Sequence, residues 1–141
     1  MISILIVTHG DFGAYLLEAA EEIVGREPSQ RAGVAAISRK LSLIEVRAKI
    51  ETEIRQATQA PGAEGVIALC DMMGGTPCNE ALLLARRMDR VEVLAGVNLY
   101  MVISALMNAR RLSLAALTVK VLEDSRRSVA NAKELLMTAK R

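Results

Sequence analysis

Aromatic side chains are almost missing from this chain: its 141 residues include one Phe, two Tyr and no Trp. Phe12, Tyr15 and Tyr100 give no platform for stacking bases, and no block of five or more basic residues occurs. With a formal net charge of only +2, the sequence carries no nucleic-acid footprint. Apolar runs of about 18 residues are absent too, so no segment is expected to span a membrane. The first apolar stretch, Ile2 to Val7, is too short for the core of a signal peptide. The expected location is therefore cytoplasmic. Cysteine is scarce: Cys70 and Cys78 read as reduced thiols. Two cysteines and the sole histidine, His9, cannot fill a structural zinc site, and no spacing favours another metal. Neither G-x-x-x-x-G-K-[ST] nor G-x-G-x-x-G appears, which leaves nucleotide binding unsupported. No cofactor and no metal are expected.

What is present is apolar sequence, 52% of the chain, arranged in alternating short and long stretches. A length of 141 residues suits one domain covering 1–141. Ile2 to Val7 is β-branched and nearly continuous, the pattern of a parallel strand covered on both faces. Leu16, Ala20, Ile23 and Val24 follow at helical spacing, and Gly25 stops that helix. A second strand is predicted at Val34 to Ile37. Ser42 and Glu45 form a capping box ahead of a helix whose buried stripe is Leu43, Val46, Ile50, Ile54 and Ala57. Gly65 to Cys70 and Val91 to Ala95 read as strands three and four. Between them a helix runs through Ala81, Leu84, Ala85 and Met88; Leu99 to Ala109 is helical, and so is most of Leu114 to Ala139. Strand and helix alternating in this way predict an α/β fold: a three-layer α/β/α arrangement around a parallel sheet.

In such sheets, ligands gather beyond the carboxyl ends of the strands, where strand order reverses. Strand one ends in Thr8-His9-Gly10-Asp11, strand three in Asp71 and strand four in Gly96-Val97-Asn98. A lone histidine is by default a surface or satisfied core residue. At this edge, beside an acidic residue and followed by flexible Gly10, His9 becomes a candidate. Gly74-Gly75-Thr76-Pro77 adds a second component: Thr76 is a good N-cap and Pro77 suits the first helical position. Two preceding glycines let the backbone aim its N–H groups outward, toward an anion favoured by the helix dipole. A histidine, a carboxylate and an anion cradle without a nucleotide site suit covalent receipt of a phosphoryl group. Attack on phosphorus needs an unprotonated ring nitrogen, and Asp71 bonded to the other nitrogen would fix the tautomer. Gly74, Gly75 and Thr76 would hold the phosphoryl oxygens, with Thr8, Gly10 and Asn98 near the site.

Three segments, Ile6-Val7-Thr8-His9-Gly10, Asp71 through Asn79, and Val93 through Met101, resemble the enzyme IIA domain of the mannose family. This family belongs to the bacterial phosphoenolpyruvate-dependent sugar phosphotransferase system. The similarity spans roughly residues 1 to 135. It implies a four-stranded parallel sheet in the order 2-1-3-4. It also implies a homodimer with an antiparallel C-terminal strand exchanged between subunits, although propensity favours helix from about Leu112 to Lys133 with a short exchanged extension after it. As for activity, the resemblance implies a phosphotransferase whose His9 takes phosphoryl from phospho-HPr and passes it to a histidine of an enzyme IIB. It implies an Asp71–His9 hydrogen bond and phosphorylation on the far ring nitrogen. The membrane would be met only indirectly, through the transporter complex, and no attached IIB domain is expected.

Departures from the family pattern flank the site: Cys78 stands where an aromatic is frequent, Tyr100 where proline is, and Met73 where tryptophan is common. They leave the partner and the sugar open. Two alternatives share the chemistry: a regulatory sensor of phosphorylation state uncoupled from transport, and the phosphocarrier subunit of a dihydroxyacetone kinase. A flavodoxin-like nucleotide binder is disfavoured, because no flavin-stacking aromatics lie near the loops.

Overall fold

Strand β1 (Ile2–His9) lies inside a four-stranded sheet between β2 (Ala32–Ile37) and β3 (Gly65–Cys70), with β4 (Val91–Ala95) beyond β3. The computed structural model describes residues 1–139. All three pairings are parallel, with Val7 opposite both Ala35 and Cys70, and His9 opposite Ile37. The order 2-1-3-4 expected from the sequence is the observed one. Because the chain moves from β1 to β2 on one side and then crosses to β3 on the other, the order reverses between β1 and β3.

Alternation along β1 builds two cores. Ile2, Ile4 and Ile6 face one layer with Ile67, Leu69 and Leu94, covered by helices α1 (Phe12–Val24), α4 (Leu99–Asn108) and α5 (Leu114–Ser128). Leu5 and Val7 face the other, with Val66 and Cys70, under α2 (Leu43–Gln59) and α3 (Thr76–Ala85). Every residue of β3 is buried, and in β1 only His9 is exposed. Each fully buried Ile, Leu or Val contributes about 1.5–3 kcal/mol against leaving it in water, so the central strands anchor the molecule. The Ser42–Glu45 capping box is present, with the Ser42 hydroxyl accepting from the Glu45 N–H at 3.2 Å and the Glu45 carboxylate from the Ser42 N–H at 2.6 Å. Across the second layer, the buried Glu80 of α3 binds Arg47 of α2 at 2.6 Å, tying the two helices together.

Several expectations need correction. Leu43 is exposed rather than buried: it sits at the first residue of α2, beside its solvent-facing cap. Helix α3 ends at Ala85, short of Met88. The C-terminal helix breaks at Val129, which is extended. A new helix, α6 (Ala132–Ala139), then starts where the Asn131 side chain accepts the Glu134 N–H at 3.3 Å. The expected exchanged extension after Lys133 is thus helical as far as Ala139, and its last two residues lie outside those described. Ala, Lys, Glu, Leu and Met in this stretch are strong helix formers, and only Thr138 is β-branched.

Candidate functional site

The reversal point between β1 and β3 holds the site. His9 is the last residue of β1, and Asp71 directly follows β3, its N–H donating to the Val7 carbonyl at 3.2 Å. The parallel register therefore sets the carboxylate beside the imidazole. Asp71 Oδ2 lies 2.6 Å from His9 Nδ1 and accepts the His9 backbone N–H at 2.8 Å; Oδ1 accepts the Met72 N–H at 2.8 Å. Burial by itself pushes the Asp71 carboxyl up, but these donors outweigh it and hold the group below its ordinary value. An ionised carboxylate at this distance favours the tautomer that carries its proton on Nδ1. The Asp71 side chain is 10% exposed and that of His9 52%, so the carboxylate is shielded while the imidazole is half open to solvent.

The turn after β1 is held from beneath. Thr8 is fully buried; its hydroxyl donates to the Gly10 carbonyl and accepts the Gly13 N–H, both at 3.2 Å. Gly10 has φ of 61°, a left-handed conformation costly for other residues. Its N–H reaches across to the Ile37 carbonyl at 2.9 Å. On the β3 side, Gly75 packs against the imidazole: a Cβ added there would lie 2.8 Å from His9 Cε1 and 3.5 Å from Nε2. Only glycine lets this backbone come so near the ring.

Gly75, rather than Thr76, is the N-cap of α3; Thr76 opens the helix and Pro77 follows as its second residue. The backbone N–H of Thr76 has no helical carbonyl to meet, and its side chain is exposed. Asn79 steadies the loop, its N–H bonding the Gly75 carbonyl at 2.9 Å and its amide the Gly74 carbonyl at 3.2 Å. Asn98 serves a different end: its Oδ1 accepts the Met101 N–H at 3.1 Å as the cap of α4, and its amide nitrogen bonds the Gly96 carbonyl at 3.3 Å. The structure thus brings together His9, Asp71 and Gly75, with Thr8 and Gly10 as supports and Thr76 at the loop's end. Cys70 and Cys78 are both buried; burial first, and the neighbouring Cys78 second, push the Cys70 thiol up, which keeps it from acting as a thiolate. Among the described residues no three of His, Cys, Asp and Glu gather to hold a metal ion, and no helix is long and apolar enough to cross a membrane.

One part of the site escaped the sequence reading. Ser38-Arg39-Lys40 follow β2 at the same sheet edge, and a cleft of about 690 Å³ beside His9 is lined by Arg39 and by Lys49 of α2. The edge rule that singles out the ends of strands one, three and four points to the end of strand two as well.

Residues 3–122 match the family model described as EIIA-man, PTS system fructose IIA component. The chain is similar to the PTS system fructose-specific EIIA component of Bacillus subtilis (strain 168), 32% identical over 115 residues, which cover 81% of this chain and 75% of that protein. It is also similar to the PTS system mannose-specific EIIAB component of Escherichia coli (strain K12), 31% identical over 115 residues and 75% of this chain. The match spans only 31% of that longer protein. Among solved structures, phosphotransferase system component EIIA from Streptococcus agalactiae superposes with a TM-score of 0.83 at 26% identity, over 95% of this chain and 99% of that one.

Proposed function

The chain belongs to the mannose-type EIIA family of the sugar phosphotransferase system, and from that premise we propose that His9 is the residue on which it carries phosphoryl. The observation that supports this reading most is the pairing of His9 Nδ1 with Asp71 at 2.6 Å, which leaves Nε2 free to act as the nucleophile. The donor is phospho-HPr, itself a phosphohistidine. The Nε2 lone pair forms the new N–P bond while the donor's N–P bond breaks, and the donor's ring leaves with that electron pair as neutral imidazole. No proton need move at His9: Nδ1 keeps its hydrogen, and the Asp71 carboxylate balances the positive charge that grows on the ring. Outward transfer to a histidine of an enzyme IIB reverses these roles.

Gly74, Gly75 and Thr76 supply the phosphoryl contacts on the β3 side, through backbone N–H groups and the Thr76 hydroxyl. Asp71 is a positioning residue, since it acts through the imidazole. The protein works in the cytoplasm as a phosphotransferase component of sugar uptake or its regulation, reaching the membrane only through the transporter. It is a homodimer, which sedimentation at micromolar concentration tests: a lone species near 15.2 kDa would count against it.

The central experiment is incubation with phosphoenolpyruvate, enzyme I and HPr. One acid-labile phosphate per chain is expected, located on His9. Retention of the label in His9→Ala would overturn the assignment.

A further inference from the structure

We infer that Arg39 and Lys49 form a second wall of the phosphoryl site, holding the oxygens of the group on His9 Nε2 from the β2 side. The inference rests on the phosphocarrier reading of His9. Its physical basis is the cleft of about 690 Å³ that His9 shares with Gly10, Asp11, Arg39 and Lys49. The Gly74–Thr76 loop follows β3 and borders the ring from one side of β1. The cleft opens on the other side, toward β2, where that loop gives the phosphoryl oxygens no donor.

The backbone delivers Arg39 to this place. His9 pairs in register with Ile37, and the Gly10 N–H bonds the Ile37 carbonyl at 2.9 Å. Arg39 comes two residues later, in the turn closed by the Leu41 N–H on the Ser38 carbonyl at 3.1 Å. From there it lines the cleft. Lys49 is fixed more firmly: its ammonium donates to the Ala36 carbonyl at 2.7 Å, and two of its three N–H donors remain for a ligand. Neither cation is paired with a carboxylate among the described residues, whereas Arg47, two residues before Lys49 on α2, is spent on Glu80.

The charges explain why such a wall is useful. A phosphoryl group on nitrogen brings about two negative charges next to the Asp71 carboxylate, and Asp11 adds a third acidic group at the cleft. Two cations offset this repulsion, and a guanidinium takes two phosphoryl oxygens at once. Neither residue moves a proton or changes a bond; they lower the free energy of the phosphorylated form.

The test measures the equilibrium constant for phosphoryl exchange between HPr and the chain, with KM and kcat recorded separately. Wild type is compared with Arg39→Ala, Arg39→Lys, Arg39→Glu and Lys49→Met, and His9 is also labelled chemically with phosphoramidate, which needs no protein docking. Arg39→Ala is expected to lower the phosphorylated fraction at equilibrium by about tenfold, the size of one charge-assisted hydrogen bond. Arg39→Glu should lower it further, and Arg39→Lys should restore part of it. Arg39 is an exposed loop residue, so its variants keep the fold. An equilibrium constant unchanged within about twofold in Arg39→Ala, Arg39→Glu and Lys49→Met overturns the inference, as does a change confined to KM, which would make these residues docking contacts alone. If wild-type His9 takes label from neither donor, the phosphocarrier reading itself fails.

Discussion

One oxygen of Asp71 holds His9 twice: Oδ2 accepts the backbone N–H at 2.8 Å and lies 2.6 Å from ring Nδ1. The first bond fixes where the residue sits and the second how its ring is turned. Asp71→Asn keeps the size of the side chain but removes the charge that the developing cationic ring needs. His9 should still be labelled, with exchange from phospho-HPr slowed by roughly 10²–10⁴, the range for lost orienting groups. Rapid-quench exchange rates at fixed pH decide it, and a wild-type rate would reduce Asp71 to a turn residue.

The same contacts set a pH dependence of stability. The folded Asp71 carboxyl lies below its ordinary value because His9 and Met72 donors outweigh the burial that would raise it. A lowered folded value stabilises the protein above the unfolded value of about 3.9 and ceases to do so as pH falls through the folded one. The stability difference between wild type and Asp71→Asn should therefore be constant near neutrality and shrink only below pH of about 4. Urea unfolding at a series of pH values measures it; a difference that grows toward acid contradicts the sign.

Gly75→Ala separates the ring from the fold. The backbone at Gly75 has φ −73° and ψ 154°, open to any residue, so little strain arises there. The new methyl, however, would meet His9 Cε1 at 2.8 Å and must push the imidazole off Asp71. Phosphorylation should fall sharply while the unfolding midpoint moves little. Full activity in this variant would show that the ring yields freely and that the close approach has no functional weight.

Thr8→Val tests the support under the turn. The hydroxyl is buried and bridges the Gly10 carbonyl and the Gly13 N–H. An isosteric methyl leaves both without a partner, a cost of about 1–3 kcal/mol, read from denaturant unfolding. Exchange on His9 should slow as well, because the turn that aims the ring is loosened. Stability within experimental error of wild type would mean that water replaces the hydroxyl.

The site was legible in the sequence where one rule sufficed. Ile2 to Val7 and Gly65 to Cys70 announce central strands by their continuous apolar character, and the edge rule then pairs His9 with Asp71. Cap statistics favour Thr76, a threonine before a proline, whereas the close approach to the imidazole selects Gly75 for that position. Asn98 stands out by its place after strand four, but its amide is consumed in capping α4, a local use that spacing alone does not reveal. Leu43 fits the stripe of α2 by period, yet periodicity does not tell how far the sheet reaches beneath the helix start. The tail was divided between two arguments, and local propensity with the Asn131 cap made it helix.

His9 closes a strand in which every other residue is buried and which is paired on both sides. A histidine so placed has no hinge of its own. Its backbone amide, bonded to Asp71, is released to exchange with deuterium only when that carboxylate lets go or when the sheet opens as a whole. The exchange lifetime of this one amide, against those of Leu5 and Ile67 deep in the sheet, is thus an internal clock. Equal lifetimes mean that His9 moves only with the core and presents a rigid surface.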